Sequence, residues 1–296
     1  MTIAELIDKY IDEVTITMSQ NTVRNYERCI RPLADICGDE QLKREHIVEY
    51  MRRCKASGNS ANTIRSKMAC VRAFETWLVD NGAIPNRISG NVKLPQPEYH
   101  IADRLTKEEA SLMIHGERPR YAHNDARNRA ILELALVTAS RVSAICDLTT
   151  NDVDFEKKTI TFRHTKRNKE LVMPMTESLC DALEDYIENY RPKGENVSDA
   201  LFVGTQVDKN GNYTKLTRQS MDLICRRYTA NVCGRPLSMH DLRHTSASIQ
   251  IDSGLLSIDE ISKNLGHSSV ATTQRYAQRL NDRSRRTATI EIFKGL

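Results

Sequence analysis

The stretch Met239-His240-Asp241-Leu242-Arg243-His244-Thr245 decides how the last third of this chain is interpreted. His240 and Arg243 stand three residues apart at the predicted start of a helix, so both side chains project from one face. A guanidinium can bind a phosphate through two parallel hydrogen bonds, and an imidazole can donate a hydrogen bond or move a proton. The stretch therefore indicates a helix suited to phosphate chemistry.

A metal site is the alternative interpretation of the same stretch. His240 and His244 are four residues apart, the spacing of a helical zinc pair. However, Asp241 stands where the zinc motif has Glu, and Arg243 brings a positive charge to the same face. A metal-dependent hydrolase that uses His240, His244 and His267 therefore remains an alternative, although a weaker one.

Three further segments extend the pattern along the chain. Thr138-Ala139-Ser140-Arg141 lies far upstream, whereas Leu265-Gly266-His267 and Tyr276 follow the helix. Two guanidiniums can hold the non-bridging oxygens of a phosphodiester, and a phenol can attack the phosphorus without a metal. Taken singly, His267 could cap a helix and Tyr276 could be a core or surface residue.

The N-terminal part has an uninterrupted helical period. Apolar residues three and four positions apart predict helices over 3–14, 22–37, 44–56 and 61–79. On the last helix, Trp77 suits core packing better than stacking against a base. Basic side chains on these helices suit either phosphate contacts or an ordinary solvated face. These candidate DNA contacts are Arg24, Arg28, Arg65, Lys67 and Arg72.

A proline-containing linker precedes a second domain. Residues 82–104 have no helical period, and the capping box Thr106-Lys107-Glu108-Glu109 starts a new helix. Two strands are predicted, joined by the basic turn 164–169. The strands span 158–162 and 170–173. Predicted helices span 126–138, 142–148, 176–190, 216–231, 240–252, 258–265, 269–279 and 283–293.

Composition sets broad limits. The 296 residues include 28% charged residues, carry a net charge of +4, and contain no apolar run of about 20 residues or secretory signal. A cytoplasmic protein without a membrane span is expected. The eight cysteines form no Cys-x-x-Cys pair, which favours buried reduced thiols over a zinc finger or disulfides.

Taken together, Arg141, His240-x-x-Arg243, Leu265-Gly266-His267 and Tyr276 resemble the tyrosine recombinase (phage integrase) family. The resemblance implies a mainly α fold with a small antiparallel β-sheet. It implies a SAM-like helical core-binding domain at 1–89, a linker at 90–104 and an α+β catalytic domain at 105–296. The implied enzyme is a site-specific recombinase, a DNA strand transferase with chemistry like that of type IB topoisomerases.

The resemblance also implies a role for each residue of the set. Arg141 and Arg243 would clamp the scissile phosphate, His240 would exchange a proton near the attacking oxygen, and His267 would donate a second hydrogen bond. Tyr276 would attack phosphorus to give a 3′-phosphotyrosine, with no metal, ATP or other cofactor. Lys166 on the hairpin turn would protonate the leaving 5′ oxygen, with Lys169 as its nearest competitor. Arg167 and Lys169 are further candidate DNA contacts.

Two positions depart from the family pattern. Ala144 stands where an acidic residue commonly follows the first arginine, so the support of Arg141 must come from elsewhere, with Asp147 one turn on as a candidate. Met239 stands where a proline commonly precedes the histidine. Neither change removes a group that does chemistry.

The resemblance further implies how the protein assembles. The chain opens directly with the core-binding helices, as Xer-type resolvases and small mobile-element integrases do. A homotetramer on double-stranded DNA with inverted-repeat core sites is expected, with a second related recombinase as a further partner in some systems. The C-terminal helix at about 283–294 would be exchanged between subunits or packed on its own subunit. A DNA-binding protein without catalysis is the remaining alternative.

Overall fold

The computed structural model describes residues 1–98, 103–116, 122–163 and 170–265, without the side chains of 122–124. The chain separates into two compact units, Met1–Ile101 and Ala102–Leu296. The domain boundaries inferred from the sequence, 1–89, 90–104 and 105–296, stay predictions. No helix among the described residues is both long enough and apolar enough to span a membrane.

Residues 1–98 form five α-helices and a 3₁₀ turn at Ser89–Asn91. The helices are α1 (Ile3–Thr17), α2 (Gln20–Ile30), α3 (Pro32–Cys37), α4 (Arg44–Ala56) and α5 (Ala61–Asp80). Side-chain oxygens of Thr2, Ser19 and Ser60 cap α1, α2 and α5 by accepting from backbone N–H groups. Apolar faces of all five helices meet in one core. The predicted helical bundle is therefore confirmed.

The single helix predicted over 22–37 is wrong, because the structure divides it at Arg31 and Pro32. Pro32 is the first residue of α3, where its missing N–H costs nothing, whereas inside a longer helix it would remove a hydrogen bond. Arg31 at the break pairs with Asp8 at 2.6 Å and with Glu27 at 2.7 Å. Proline therefore overrides the apolar period that runs through this segment.

Trp77 packs against the core of the first unit, as predicted. Its ring centroid lies 5.6 Å from that of Tyr10 and 6.2 Å from that of Phe74. Its indole N–H donates to Glu13 at 2.7 Å. The only tryptophan of the chain therefore reports on the packing of the first unit.

Glu75 ties α5 to the segment that follows it. The side chain is fully buried, and its carboxylate accepts from the backbone N–H of Ser89 at 2.9 Å and from the Ser89 hydroxyl. A buried acceptor with two donors is costly to remove, because both donors then lack a partner.

We expect Glu75→Ala to lower the free energy of unfolding of the first unit by about 2–4 kcal/mol. Urea unfolding of the full chain, followed by the fluorescence of Trp77, measures the change. Glu75→Gln keeps one carbonyl acceptor, so its free energy of unfolding should fall by less. Asp12→Ala, on the exposed face of α1, is the control. An equal loss of unfolding free energy in both alanine variants would show that the hydrogen bonds between Glu75 and Ser89 do not stabilise the first unit.

The described part of the second unit combines helices with two antiparallel sheets. Its helices are α6 (Lys107–His115), α7 (Ala122–Thr138), α8 (Val142–Cys146), α9 (Glu177–Asp185), a π-helical turn (Tyr186–Tyr190), α10 (Arg218–Cys233), α11 (Met239–Ser253) and α12 (Ile258–Asn264). Its strands are β1 (Val153–Asp154), β2 (Thr159–Phe162), β3 (Leu171–Pro174), β4 (Val203–Val207) and β5 (Tyr213–Lys215). The predicted fold class, mainly α with small antiparallel sheets, is confirmed.

The predicted hairpin is the centre of the three-stranded sheet, whose order is β1-β2-β3. Ile160 pairs with Val153 on one side and with Met173 on the other. Its basic turn, 164–169, lies outside the described residues. The β4–β5 hairpin was not predicted from the sequence, because its strands are short and mostly exposed.

Helix α7 runs through the core of the second unit. Ala130, Ile131, Leu132 and Leu134 are fully buried, so the helix is apolar on more than one face, as predicted for 126–138. This buried helix ends at Thr138, three residues before Arg141, the first predicted arginine of the site. All eight cysteines are free, and seven are buried, as predicted; Cys233 is half-buried.

Candidate active site

The turn after α7 presents Arg141. Ala139 has a φ of 49°, the left-handed region that costs an L-residue about 1–2 kcal/mol. The Thr138 hydroxyl donates to the carbonyl of Leu134 at 2.7 Å and accepts from the N–H of Ser140 at 3.3 Å. The chain therefore reverses within three residues, and Arg141, half-buried, becomes the N-cap residue of α8.

The start of α11 is fixed by a capping box and by a neighbouring helix. Ser238 and Asp241 exchange hydrogen bonds: the Ser238 hydroxyl accepts from the Asp241 N–H at 3.2 Å, and the carboxylate accepts from the Ser238 N–H at 2.8 Å. The N–H of Met239 donates to Asp222 of α10 at 3.0 Å. A proline at 239 could not make that bond. The departure from the family pattern thus adds an anchor between two helices.

Arg243 joins three separate segments of the chain. Its side chain is buried, with 7% exposure, and its guanidinium donates to the carbonyl of Ala139 at 2.6 Å and to that of Leu265. Ala139 belongs to the turn before Arg141, and Leu265 directly precedes Gly266-His267. Arg243 therefore connects α11 to two other segments: the turn that precedes Arg141 and the residue that precedes Gly266-His267.

A small cluster of buried apolar residues packs the same parts of the chain together. Its buried members are Ala139, Ala247, Ile261 and Leu265. They come from the turn after α7, from α11, from α12 and from the residue after α12. The turn that precedes Arg141 is thus packed against α11 and α12.

The two arginines repel each other. Burial lowers the pKa of Arg243 to about 10, and the positive charge of Arg141 contributes to the same shift. Arg243 nevertheless stays protonated at neutral pH. An anion bound between two close guanidiniums would offset their repulsion and accept charge-assisted hydrogen bonds from both. The electrostatics of the site therefore favour a phosphate.

His240 is exposed on the first turn of α11 and lies against His244. Their Nε2 atoms are 3.1 Å apart, and the rings meet edge to face with centroids 4.4 Å apart. His244 is half-buried, and its pKa is lowered by burial, then by His240 and Arg243, against the opposing effect of Asp241. The sequence suggested His244 only as a metal ligand. Among the described residues, no three metal-ligating side chains come together.

Ala144 borders a cavity of about 90 Å³. Asp147 and Asp152 also line it, and both carboxylates are engaged: Asp147 accepts from Lys215 at 2.9 Å, and Asp152 accepts from Thr149 at 2.8 Å and from Arg163. Both acidic residues that line the cavity therefore already have basic partners, Lys215 for Asp147 and Arg163 for Asp152. The suggested support of Arg141 by Asp147 stays a prediction.

The remaining predicted residues divide into two groups. Lys166, Arg167, Lys169, His267, Tyr276 and the helix at about 283–294 lie outside the described residues. In the first unit, Arg24 and Arg28 are exposed one turn apart on α2. Four of the five candidate side chains of this unit contact the unit itself: Arg28 donates to the Asn25 side-chain oxygen at 3.1 Å, Arg65 to the Pro95 carbonyl at 3.2 Å, Arg72 to that of Ser89 at 3.4 Å, and Lys67 to the Cys54 thiol at 3.9 Å.

Family models match both units. The phage integrase family model matches residues 103–283, and the model for the phage integrase N-terminal SAM-like domain matches residues 7–82. The chain is 30% identical over 276 residues to the tyrosine recombinase XerC of Corynebacterium efficiens, covering 92% of this chain and 86% of that protein. It is 26% identical to the tyrosine recombinase XerD of Halalkalibacterium halodurans, covering 93% of each chain.

Solved structures share the fold. The Tn1549 transposon integrase in complex with transposon right end DNA superposes with a TM-score of 0.75 at 20% identity, covering 97% of this chain and 100% of that one. A lambda integrase dimer bound to a COC′ core site gives a TM-score of 0.71 at 17% identity, covering 92% and 97%. A lambda integrase tetramer bound to a Holliday junction gives 0.70 at 16% identity, covering 93% and 77%.

Proposed function

Because the chain belongs to the phage integrase family, we propose that it recombines DNA at specific sites through a 3′-phosphotyrosine formed by Tyr276. The observation that carries the proposal is the position of Arg243. Its guanidinium holds the turn before Arg141 and the residue before Gly266-His267. This arrangement supports the proposal, because it brings the turn that carries Arg141 next to the second arginine.

In the proposed reaction, Arg141 and Arg243 bind the non-bridging oxygens of the scissile phosphate. They stabilise the charge of the pentacoordinate transition state. The Tyr276 oxygen forms a bond to phosphorus while the bond to the 5′ oxygen breaks, and His240 exchanges the phenolic proton. Lys166 protonates the leaving 5′ oxygen, and His267 donates a further hydrogen bond to the phosphate.

The second half of the reaction reverses the first on another strand. A 5′-hydroxyl of the partner duplex attacks the phosphotyrosine, forms the new phosphodiester and releases Tyr276. One phosphodiester is made for each one broken, so the exchange requires no ATP, and cationic side chains take the place of a metal. A Holliday junction is the intermediate after the first pair of exchanges.

The relatives support an assembly on DNA. Integrases of the same fold are solved on transposon end DNA, on a core site as a dimer, and on a Holliday junction as a tetramer. For this chain we propose a homotetramer on double-stranded DNA with inverted-repeat core sites, or a mixed tetramer with a second related recombinase. The helix at about 283–294 would be exchanged between subunits. As a DNA-acting enzyme, it would work in the cytoplasm.

A covalent trap tests the proposed function. Duplexes that bind the full chain are selected from a random pool and rebuilt with a nick near the cleavage position, so that the 5′-hydroxyl fragment diffuses away. We expect a protein–DNA adduct that survives denaturation and forms equally well in EDTA. Binding without an adduct would indicate a DNA-binding protein without catalysis, and loss of cleavage on chelation would indicate a metal-dependent hydrolase.

The exposed arginines of α2 make a separate prediction about DNA affinity. If Arg24 and Arg28 contact phosphates, Arg24→Ala and Arg28→Ala should each weaken binding to all duplexes alike and reduce the salt slope of log K by about 1. Fluorescence anisotropy with the selected duplex at several salt concentrations measures both changes. Lys9→Ala, an exposed lysine of α1, is the control; an unchanged slope in both arginine variants would remove them from the interface.

A further inference from the structure

His244 lies one helical turn after His240, with its Nε2 atom 3.1 Å from that of His240. We propose that His244 is a positioning residue that accepts the Nε2–H of His240, so that Nδ1 of His240 is the nitrogen that exchanges protons in the reaction. The inference rests on the proposed role of His240 in DNA cleavage. It gives a function to a side chain that the sequence suggested only as a metal ligand.

Proton counting limits what the pair can do. A hydrogen bond between two imidazole nitrogens needs one N–H and one lone pair, so the two Nε2 atoms share one proton. The two rings cannot both be imidazolium while the bond persists. When His240 carries its second proton, both of its nitrogens are donors, and His244 has to be the acceptor.

Only one direction of the bond permits a full proton cycle. If His244 donated to Nε2 of a neutral His240, the proton of His240 would sit on Nδ1 and leave no lone pair there to accept another. If His240 donates, its Nδ1 can accept a proton and release it while the bond to His244 remains unchanged. His244 would then fix the tautomer and the ring orientation of His240, as a hydrogen-bond partner does for a catalytic histidine.

The surroundings of His244 keep it in the accepting form. It is half-buried on α11, and the neighbouring Arg243 is cationic. Burial, His240 and Arg243 lower its pKa, so the neutral ring is favoured, while Asp241 opposes them only in part. Neutral His244 accepts a hydrogen bond without adding a third positive charge to the site.

The bond also limits the motion of an exposed side chain. Ser238, Asp241 and Met239 fix the backbone of the first turn of α11. Without this bond, the exposed ring of His240 would sample several rotamers. Restricting it to one rotamer during the reaction would then cost conformational entropy. One hydrogen bond from the next turn selects a rotamer and the face of the ring.

Nitrogen NMR on the full chain tests the tautomer directly, without DNA. The protein is labelled with ¹⁵N-histidine, and the signals of His240 are assigned from their loss in His240→Gln. At about pH 8.5, where imidazoles are neutral, we expect the Nε2–H tautomer of His240 in wild type, a mixture in His244→Leu, and recovery in His244→Gln. An Nδ1–H tautomer in wild type, or no change in His244→Leu, would overturn the inference.

Cleavage of the nicked duplex separates positioning from packing. His244→Leu should slow single-turnover adduct formation by about 10- to 100-fold, as loss of an orienting partner does, with unchanged DNA affinity. His244→Gln, whose amide oxygen reaches the position of Nε2, should restore most of the rate. Equal rates in the two variants would assign His244 to packing. If His240→Gln cleaves normally while the tautomer result holds, the proposed role of His240 fails and the hydrogen-bonded pair stands.

Discussion

Tyr276→Phe is expected to bind the selected duplex with wild-type affinity and to form no covalent adduct. The substitution removes one oxygen, the proposed nucleophile, and keeps the aromatic ring. Loss of a nucleophile removes the covalent pathway outright, so the rate of adduct formation should fall by more than about 10⁴-fold. Denaturing electrophoresis of protein incubated with end-labelled nicked duplex measures the adduct.

A second tyrosine provides the matched control. Tyr213 lies half-buried on β5, and Tyr213→Phe removes the same hydroxyl from another part of the second unit. Its adduct should form at the wild-type rate. An adduct in Tyr276→Phe would mean that another side chain attacks phosphorus, and peptide mapping of the labelled fragment would then identify it.

Arg243→Lys should lose activity and stability together. Lysine keeps the positive charge but has one ammonium in place of a planar guanidinium, so it cannot hold both the Ala139 and Leu265 carbonyls and still face a phosphate. Leaving a buried carbonyl without its donor costs about 1–3 kcal/mol. Loss of a transition-state donor should lower the cleavage rate by about 10²- to 10³-fold.

Arg191→Lys is the control for the structural part of that effect. Arg191 also joins backbone carbonyls, donating to Ser198 at 2.7 Å, to Ala200 at 2.9 Å and to Leu201 at 3.3 Å. Urea unfolding should show a loss of stability in both lysine variants, whereas adduct formation per folded molecule should fall only in Arg243→Lys. If the two variants behave alike in both measurements, Arg243 is a structural residue and does not bind the phosphate.

Local signals in the sequence determined most elements of the fold. The capping box at Thr106 begins α6, the alternating strands β2 and β3 pair as predicted, and α7 is buried as its apolar character requires. Each of these features depends on residues within a few positions of one another. The order of the arginines, histidines and tyrosine likewise identified the family, because it is a property of the sequence itself.

Three elements were not predicted, because the local sequence signals for them conflict or are weak. The apolar period runs through 22–37, but Pro32 ends α2 and begins α3. The β4–β5 hairpin has little alternation to reveal it, since most of its residues are exposed. The continuation of α9 as a π-helical turn at Tyr186–Tyr190 also has no signature in the helical period.

Tertiary structure alone decided how the site is assembled. Arg243 donates to a carbonyl 104 residues earlier and to another 22 residues later, and backbone carbonyls look alike in any sequence. The left-handed turn at Ala139 has local hydrogen bonds made by Thr138, and its carbonyl also accepts from the distant Arg243. The first turn of α11, which carries His240, is likewise anchored to a distant segment, because the N–H of Met239 donates to Asp222 of α10. The sequence therefore determined which groups are present, and packing between distant segments determined how the turn before Arg141 meets Arg243.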